Sequence, residues 1–227
     1  MTRITPIKLR FSNAYFITGA QHTILVDTGM PGEETKILRA AQKAGIDPAQ
    51  ISLIFHTHGH VDHAGSSRAL AAHLGIPTAI HPADADMLHS GIMRPLHTIG
   101  LEAKLILPMV NRLFPAFEPD VLIDETFNLS EYGIAGRILH IPGHTAGSVS
   151  ILLENGAAIV GDVMMGGYLG GNLFATHPRY HYFAENFAQI SQSIAALLTL
   201  TTAAQTFYVG HGGPLTRAAV EKQFSRI

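Results

Sequence analysis

The sequence predicts a single α/β domain over residues 1–227, and three observations predict it. Short apolar runs of β-like composition alternate with stretches of helical periodicity. Glycine closes several of these elements, and 227 residues with 47% hydrophobic content suffice for one substantial core.

Taken in order, residues 14–18 and 23–26 read as two strands joined by the turn Gly19-Ala20-Gln21-His22. Asp27-Thr28-Gly29 then breaks the second strand; Asp27 either caps that turn through local backbone N–H groups or supports whatever lies beyond it. Residues 33–44 are helical and stop at Gly45, and Asp47-Pro48 opens a turn or short helix before a strand over 51–55. A second amphipathic helix over 66–74 stops at Gly75, so two βα units pass in succession. Residues 76–80 read as a strand and 83–88 as the start of a helix.

Residues 90–119 break the rhythm. Met93, Leu96, Ile99, Leu101, Leu105, Ile106, Val110 and Leu113 crowd together, while Pro95, Pro108 and Pro115 rule out one long helix. The expectation is an insert of one or two short apolar helices. Such an insert covers core or forms a homodimer contact on one account; on the other it walls the active site and accepts an apolar substrate group.

Beyond it the chain is strand-rich: 121–123, 127–129, 137–141, 148–153 and 157–160, with Glu154-Asn155-Gly156 as a tight turn. Residues 164–176, rich in glycine and small side chains, read as a loop. Residues 186–200 carry Phe187, Ile190, Ile194, Leu197 and Leu198 on one helical face, and a strand over 206–209 and a helix over 215–224 follow.

A net charge of −2 and a pI near 6.7 leave no basic excess to neutralise phosphates, so a small-molecule substrate is expected and nucleic acid is not. With no cysteine, disulfides and thiolate chemistry are excluded, and any transition metal must be held by nitrogen and oxygen. Residues 1–10 lack an apolar signal core and no run of 18 apolar residues occurs, so no membrane span is expected and the expected compartment is the cytoplasm.

Fourteen histidines are the compositional oddity. His22, His73, His81, His89 and His97 read as surface or satisfied polar residues. Five others carry chemistry. Thr57-His58-Gly59-His60-Val61-Asp62-His63 follows the strand 51–55; in an extended segment His58 and His60 project the same way and can grip one ion, while Asp62 and His63 reach a second. Imidazole with carboxylate points to Zn, Fe or Mn rather than Ca or Mg. His144, Asp162 and His211 each end a β-like run beside glycine, where a scaffold can bring segments together. His56 fits no ligand position and reads as a packed residue.

The set His58-x-His60-x-Asp62-His63, then His144, Asp162 and His211, resembles the ligand set of the metallo-β-lactamase superfamily. Leu25-Val26-Asp27-Thr28-Gly29, Pro142-Gly143-His144-Thr145-x-Gly147-Ser148, Gly161-Asp162 and Gly210-His211-Gly212 keep that family's order, and the resemblance spans residues 14–215. It implies a four-layer αββα sandwich with metals at the seam between the sheets. One ion would take His58, His60 and His144, the other Asp62, His63 and His211, with Asp162 between them. The implied cofactor is two divalent ions, zinc first, with iron or manganese as alternatives.

The implied function is a dinuclear metal hydrolase whose metal-bridging hydroxide cleaves an ester-type bond, thioester or lactone, in a small acyl compound. Asp62 would orient that hydroxide and pass on its proton. Asp27 would support the centre, and Tyr168, Tyr180, His181 and Tyr182 lie where lactonases of the family use a tyrosine on the substrate carbonyl. The absence of cysteine speaks against the cysteine-ligated lactamases, and His60 stands where flavodiiron enzymes typically have glutamate. Only 16 residues follow His211, so a short glyoxalase II-like or lactonase-like hydrolase is expected, without the helical domain of a full glyoxalase II. The alternatives are an RNase Z-like phosphodiesterase, an iron-dependent redox enzyme and a non-catalytic scaffold. Since five histidines must be neutral to bind, metal affinity is expected to fall below pH of about 6.5.

Overall fold

Two β-sheets pack face to face, each with helices on its outer side, in the computed structural model, which describes residues 2–124 and 126–225 apart from the side chain of Met109. Strands β1 (Arg3–Lys8), β2 (Asn13–Thr18) and β3 (Thr23–Val26) form an antiparallel meander. Helix α1 (Glu34–Ala44) leads to β4 (Ile51–Phe55), parallel to β3. The one-turn helix α2 (Val61–Ala64) and α3 (Ser67–Leu74) lead to β5 (Thr78–Ile80), parallel to β4. After α4 (Ala85–Ser90), β6 (His97–Thr98) and α5 (Gly100–Val110), strand β7 (Val121–Leu122) completes a six-stranded sheet, β1-β2-β3-β4-β5-β7.

The second half contributes β8 (Gly136–His140), β9 (Val149–Leu153), β10 (Ala157–Ile159), the hairpin β11 (Met165–Tyr168) and β12 (Leu173–Arg179), β13 (Phe183–Ala184), helix α6 (Phe187–Leu200), β14 (Thr206–Tyr208), β15 (Leu215–Thr216) and α7 (Arg217–Phe224). Its five-stranded sheet runs β15-β14-β10-β9-β8.

The four layers follow from period-two patterning. Tyr15, Ile17, Ile24, Val26, Leu53 and Phe55 point from the first sheet into a core shared with Ile151, Leu153 and Ile159 of the second. Their alternates Phe16, Leu25 and Ile54 pack outward against Ile37 and Ala41 of α1, and Leu152, Ala158 and Phe207 pack outward against α6 and α7. Each such fully buried side chain contributes about 1.5–3 kcal/mol, so both faces of the central strands hold the sandwich. At one edge Asn13 Nδ2 donates to the carbonyls of Val209 (2.9 Å) and Gly212 (2.8 Å), and Val149 N donates to Thr57 O (2.9 Å). These bonds clamp the seam where the candidate site lies.

Gly45 and Gly75 close α1 and α3 in the left-handed conformation, as the sequence predicted (φ 68° and 65°). Residues 164–176 are not a loop but most of the β11–β12 hairpin; its glycines hid the strands because they serve close approach, Gly166 against Ala175 and Gly171 against Gly212, rather than alternation. Residues 127–129 are not a strand: the Asn128 side chain accepts from Ser130 N and caps a 3-10 turn over Leu129–Tyr132. The edge strand β1 escaped notice because Pro6 interrupts it. Within 90–119 there is one helix, α5, with Pro108 in its last turn. Among the described residues, no helix is long and apolar enough to cross a membrane.

Candidate metal centre

Strand β4 ends at Phe55, and the chain continues extended until α2 begins after His60, so Asp62 and His63 lie in its first turn. His144 lies between β8 and β9, Asp162 follows β10 and His211 follows β14. All seven expected ligand residues are buried and meet at one edge of the two sheets. Four overlapping groups each keep their ligand atoms within 4.8 Å of one another: His58, His60 and His144; His58, His63 and Asp162; Asp62, His63 and His211; and His144, Asp162 and His181.

Asp162 is the hub. Its Oδ2 lies 3.1 Å from His211 Nε2, 3.4 Å from His63 Nε2, 3.5 Å from His144 Nε2 and 3.9 Å from His58 Nε2. His211 Nε2 is also 3.3 Å from Asp62 Oδ2. Gly210 has to be glycine, because a Cβ there would land on the Asp162 carboxylate.

Outer partners set which ring nitrogen is free. His144 Nδ1 donates to Phe183 O (2.9 Å), His211 Nδ1 to Phe11 O (2.8 Å) and His63 Nδ1 to Asp27 Oδ2 (2.8 Å). His58 Nδ1 donates to Thr57 Oγ1 (3.0 Å), whose own hydrogen goes to Asp27 Oδ2 (2.8 Å). Each of these rings therefore turns its Nε2 to the centre, as metal-ligating histidines do. Among the described residues, His58 Nε2, His63 Nε2 and Asp162 Oδ1 are buried without a hydrogen-bond partner. Such orphaned nitrogen and oxygen atoms, within a cluster drawn from four chain segments, fit metal cations.

The charges divide the cluster. Burial first, and neighbouring imidazoles second, push His58 well below its ordinary value; burial takes His60 and His144 down to about 3. Burial opposes protonation of His63 and His211 as well, but Asp162 and its neighbouring carboxylates outweigh it. His63 rises well above its ordinary value and His211 to about 10. The single threshold near pH 6.5 expected from the sequence therefore splits in two, because the carboxylates outweigh burial at His63 and His211 but not at His58, His60 and His144.

Asp27 is more than a turn cap. At φ 60° it accepts from Thr57 N and Thr57 Oγ1 (both 2.8 Å) as well as from His63 Nδ1, linking the segments that carry His58 and His63. Asp84, which the sequence did not single out, plays a matching part. Fully buried, it accepts from Gly59 N (3.0 Å), Thr145 Oγ1 (2.6 Å) and Gly147 N (2.8 Å), pinning the loops of His58, His60 and His144. Gly147 tolerates no side chain, since a Cβ would collide with Asp84. Arg94 of the insert pairs with Asp84, Asp86 and Glu185, and Glu185 in turn accepts from Ala146 N (2.8 Å). No motif marks Asp84 or Arg94; only proximity in space reveals them.

Of the four residues expected near the substrate, the structure brings one into the cluster. His181 is buried with Nε2 3.3 Å from Asp162 Oδ2, and its Nδ1 accepts from Phe183 N (3.2 Å). Tyr182 lies alongside, but its hydroxyl donates to Glu102 (2.5 Å); burial and that carboxylate raise it to about 12. Tyr180 pairs with Ser191 (2.9 Å), and Tyr168 is exposed with Arg179 over its ring (4.2 Å). His56 is packed, between Ala79 O and Ser67 Oγ, as expected.

A cavity of about 280 Å³ opens on the cluster, with His60, Asp62, Asp162, His181 and His211 on its floor. Met93, Leu96, Ile106 and Val110 of the insert form one wall, so the insert does line the site; Met93 and Phe114 also pack into core, so it serves both purposes. The exposed Leu101 and Leu105 lie on the other face of α5.

The chain can be compared with known proteins on this footing. The family model of the metallo-beta-lactamase superfamily matches residues 7–197. The chain belongs to the metallo-beta-lactamase superfamily. It is 33% identical over 153 residues to a probable metallo-hydrolase of Methanocaldococcus jannaschii, covering 67% of each chain. It is 26% identical over 164 residues to a hydroxyacylglutathione hydrolase of Haemophilus influenzae, covering 71% of this chain and 69% of the relative. A solved structure in a di-iron-bound form superposes with a TM-score of 0.70 at 24% identity, covering 97% of this chain and 98% of that one. The metallo-beta-lactamase fold and a metal-dependent hydrolase class are thus established, as is a His/Asp cluster able to hold metal.

Proposed function

We propose that the protein is a dinuclear metal hydrolase of an ester-type bond, thioester or lactone, in a small acyl compound. The observation that carries this is the convergence of imidazole lone pairs and carboxylates around Asp162 at the floor of a cavity. His58, His60 and His144 would hold one ion, Asp62, His63 and His211 the other, and Asp162 both. Zinc is the ion of first choice, and the di-iron structural neighbour makes iron the alternative. When bound, the ions would supply an activated water and polarise the substrate's carbonyl.

The chain's own residues do the rest. Asp62, facing the cavity, is held below the ordinary carboxylate range: burial acts to raise it, but His63 and His211 prevail. It therefore stays an ionised hydrogen-bond acceptor that can orient a water. His181, whose Nδ1 lies 3.2 Å from both Phe183 N and Phe183 O, turns Nε2 to the cavity side, where it can hydrogen-bond a substrate oxygen. Asp27 and Asp84 keep the imidazoles aimed. The relationship to a hydroxyacylglutathione hydrolase supports carbonyl chemistry. Arg10 is the one lysine or arginine lining the cavity among the described residues, which gives a phosphodiester backbone little to bind.

The test is elemental analysis of protein purified without added metal, with turnover on esters, thioesters, lactones and phosphodiesters. Two equivalents of metal with carbonyl-bond cleavage are expected. Phosphodiester cleavage alone, or less than one equivalent without turnover, overturns the proposal.

A further inference from the structure

The floor of the cavity is polar and its walls are not. Ile106 and Val110, one helical turn apart on α5, and Leu96 before it are half-buried and pack with Met165, Tyr182 and Phe183. Polar groups that could have faced a polar ligand are turned elsewhere. The Tyr182 hydroxyl is engaged by Glu102 and by Leu169 N (3.0 Å), and Asn172 Nδ2 donates to Leu169 O (2.8 Å). Arg179 lies over the Tyr182 ring at 4.8 Å. The remaining free charge along the lining is the exposed Arg10, whose guanidinium sits 5.1 Å from the Phe11 ring.

We propose that the substrate carries an apolar acyl chain of short to medium length, seated against Leu96, Ile106 and Val110 with its carbonyl at the floor formed by His60, Asp62, Asp162 and His211. Its leaving group faces the mouth beside Arg10. This names the substrate class of the hydrolase proposed above and rests on it. A volume of about 280 Å³ lies at the small end of ligand cavities, roughly 300–1,000 Å³, and suits a short to medium chain. A peptidic, multiply charged acyl group would find no partner on these walls and would leave its polar atoms unpaired.

The experiment uses the full, metal-loaded chain and 4-nitrophenyl esters from acetate to octanoate. Because each buried methylene is worth about three- to fourfold in binding, kcat/KM is expected to rise more than tenfold from acetate to hexanoate. Val110→Asp, at a half-buried position, lowers the hexanoate-to-acetate ratio at least tenfold. Val110→Trp fills the cavity instead and moves the optimum to a shorter acid, which keeps the test alive should the charged variant fold poorly. A series that is flat or falls with acyl length overturns the proposal and leaves the hydrolase standing.

No turnover of any ester at full metal content overturns the hydrolase instead, and calorimetric binding of the free acids then decides the cavity. Hexanoate binding at least tenfold tighter than acetate, and losing that margin in Val110→Asp, supports the apolar seat. Equal binding overturns it.

Discussion

Two groups of side chains meet at Asp162, and they differ in charge rather than in burial. Burial outweighs the pull of Asp162 on His58, His60 and His144, and of Asp62 on His60, and keeps these imidazoles neutral, at about 3 for His60 and His144. Asp62, His63 and His211 lie equally deep, yet their carboxylates hold protons on the imidazoles, to about 10 for His211. In a medium that solvates charge poorly, the balance between burial and the sum of neighbouring charges decides whether a buried histidine is a free base or a cation: His181, 3.3 Å from Asp162, is still taken down to about 3. The two halves of one centre are therefore prepared differently for the same ion.

Removing the shared oxygen breaks the comparison most severely. Asp162→Ala should cost more metal affinity than the roughly 10–100-fold typical of an outer partner, in both halves at once, and turnover should vanish with it. Metal titration followed by equilibrium dialysis checks this, and retention of two tight equivalents would refute the hub. Next in size is pH. Metal entering the half with Asp62 must displace protons up to pH 10, so its affinity should climb about tenfold per pH unit per proton from 7 towards 10, while the three-imidazole half stays level. Calorimetry in buffers of different ionisation enthalpy counts the protons released by each equivalent; equal release from both would erase the distinction.

The metal-free protein sharpens the same contrast. His211, raised above 6.5, contributes stability that is complete below 6.5 and lost as pH rises through about 10. His60 and His144, lowered to about 3, must charge in acid and so cost stability as pH falls from 6.5 towards 3. Thermal unfolding without metal should peak near pH 6.5 and decline on both sides; a plateau extending to pH 10 would contradict the assignment to His211.

Outer partners separate the halves more gently. Asp27→Asn disturbs both, since Asp27 holds His63 directly and His58 through Thr57, and about 10–100-fold in metal affinity is expected. Asp84→Asn should act on the three-imidazole half alone, by about tenfold, because its partners Gly59, Thr145 and Gly147 flank only those ligands. Arg94→Met, which unties the insert from Asp84, is the mildest and should be read as a small fall in Tm. Comparing cobalt spectra of the Asp27 and Asp84 variants tells whether one or both coordination sets move.

Much of this was legible in the chain. Period-two alternation in 14–18, 23–26 and 51–55 carries the sandwich, since one set of side chains must fill the central core and the other the helix-packed face. The candidate metal-holding residues that the structure gathers were legible because several close in on one segment and the others stand at strand ends beside glycine. The β11–β12 hairpin was not, because Gly166, Gly167 and Gly171 answer to neighbouring backbone and carry no alternation.

By itself the sequence determined the α/β class, the central strands and their flanking helices, the exclusion of thiolate from the centre and the residues available to hold metal. These depend on composition and on spacing along one chain, which local geometry converts directly into faces and ends of elements. Tertiary structure alone decided which of Tyr168, Tyr180, His181 and Tyr182 reaches the cluster, that Asp84 ties two ligand loops together, and which histidines keep a proton. Each of these depends on distances between segments far apart in sequence, where an ångström or two changes a hydrogen bond or a charge pairing, and no pattern of letters encodes that separation.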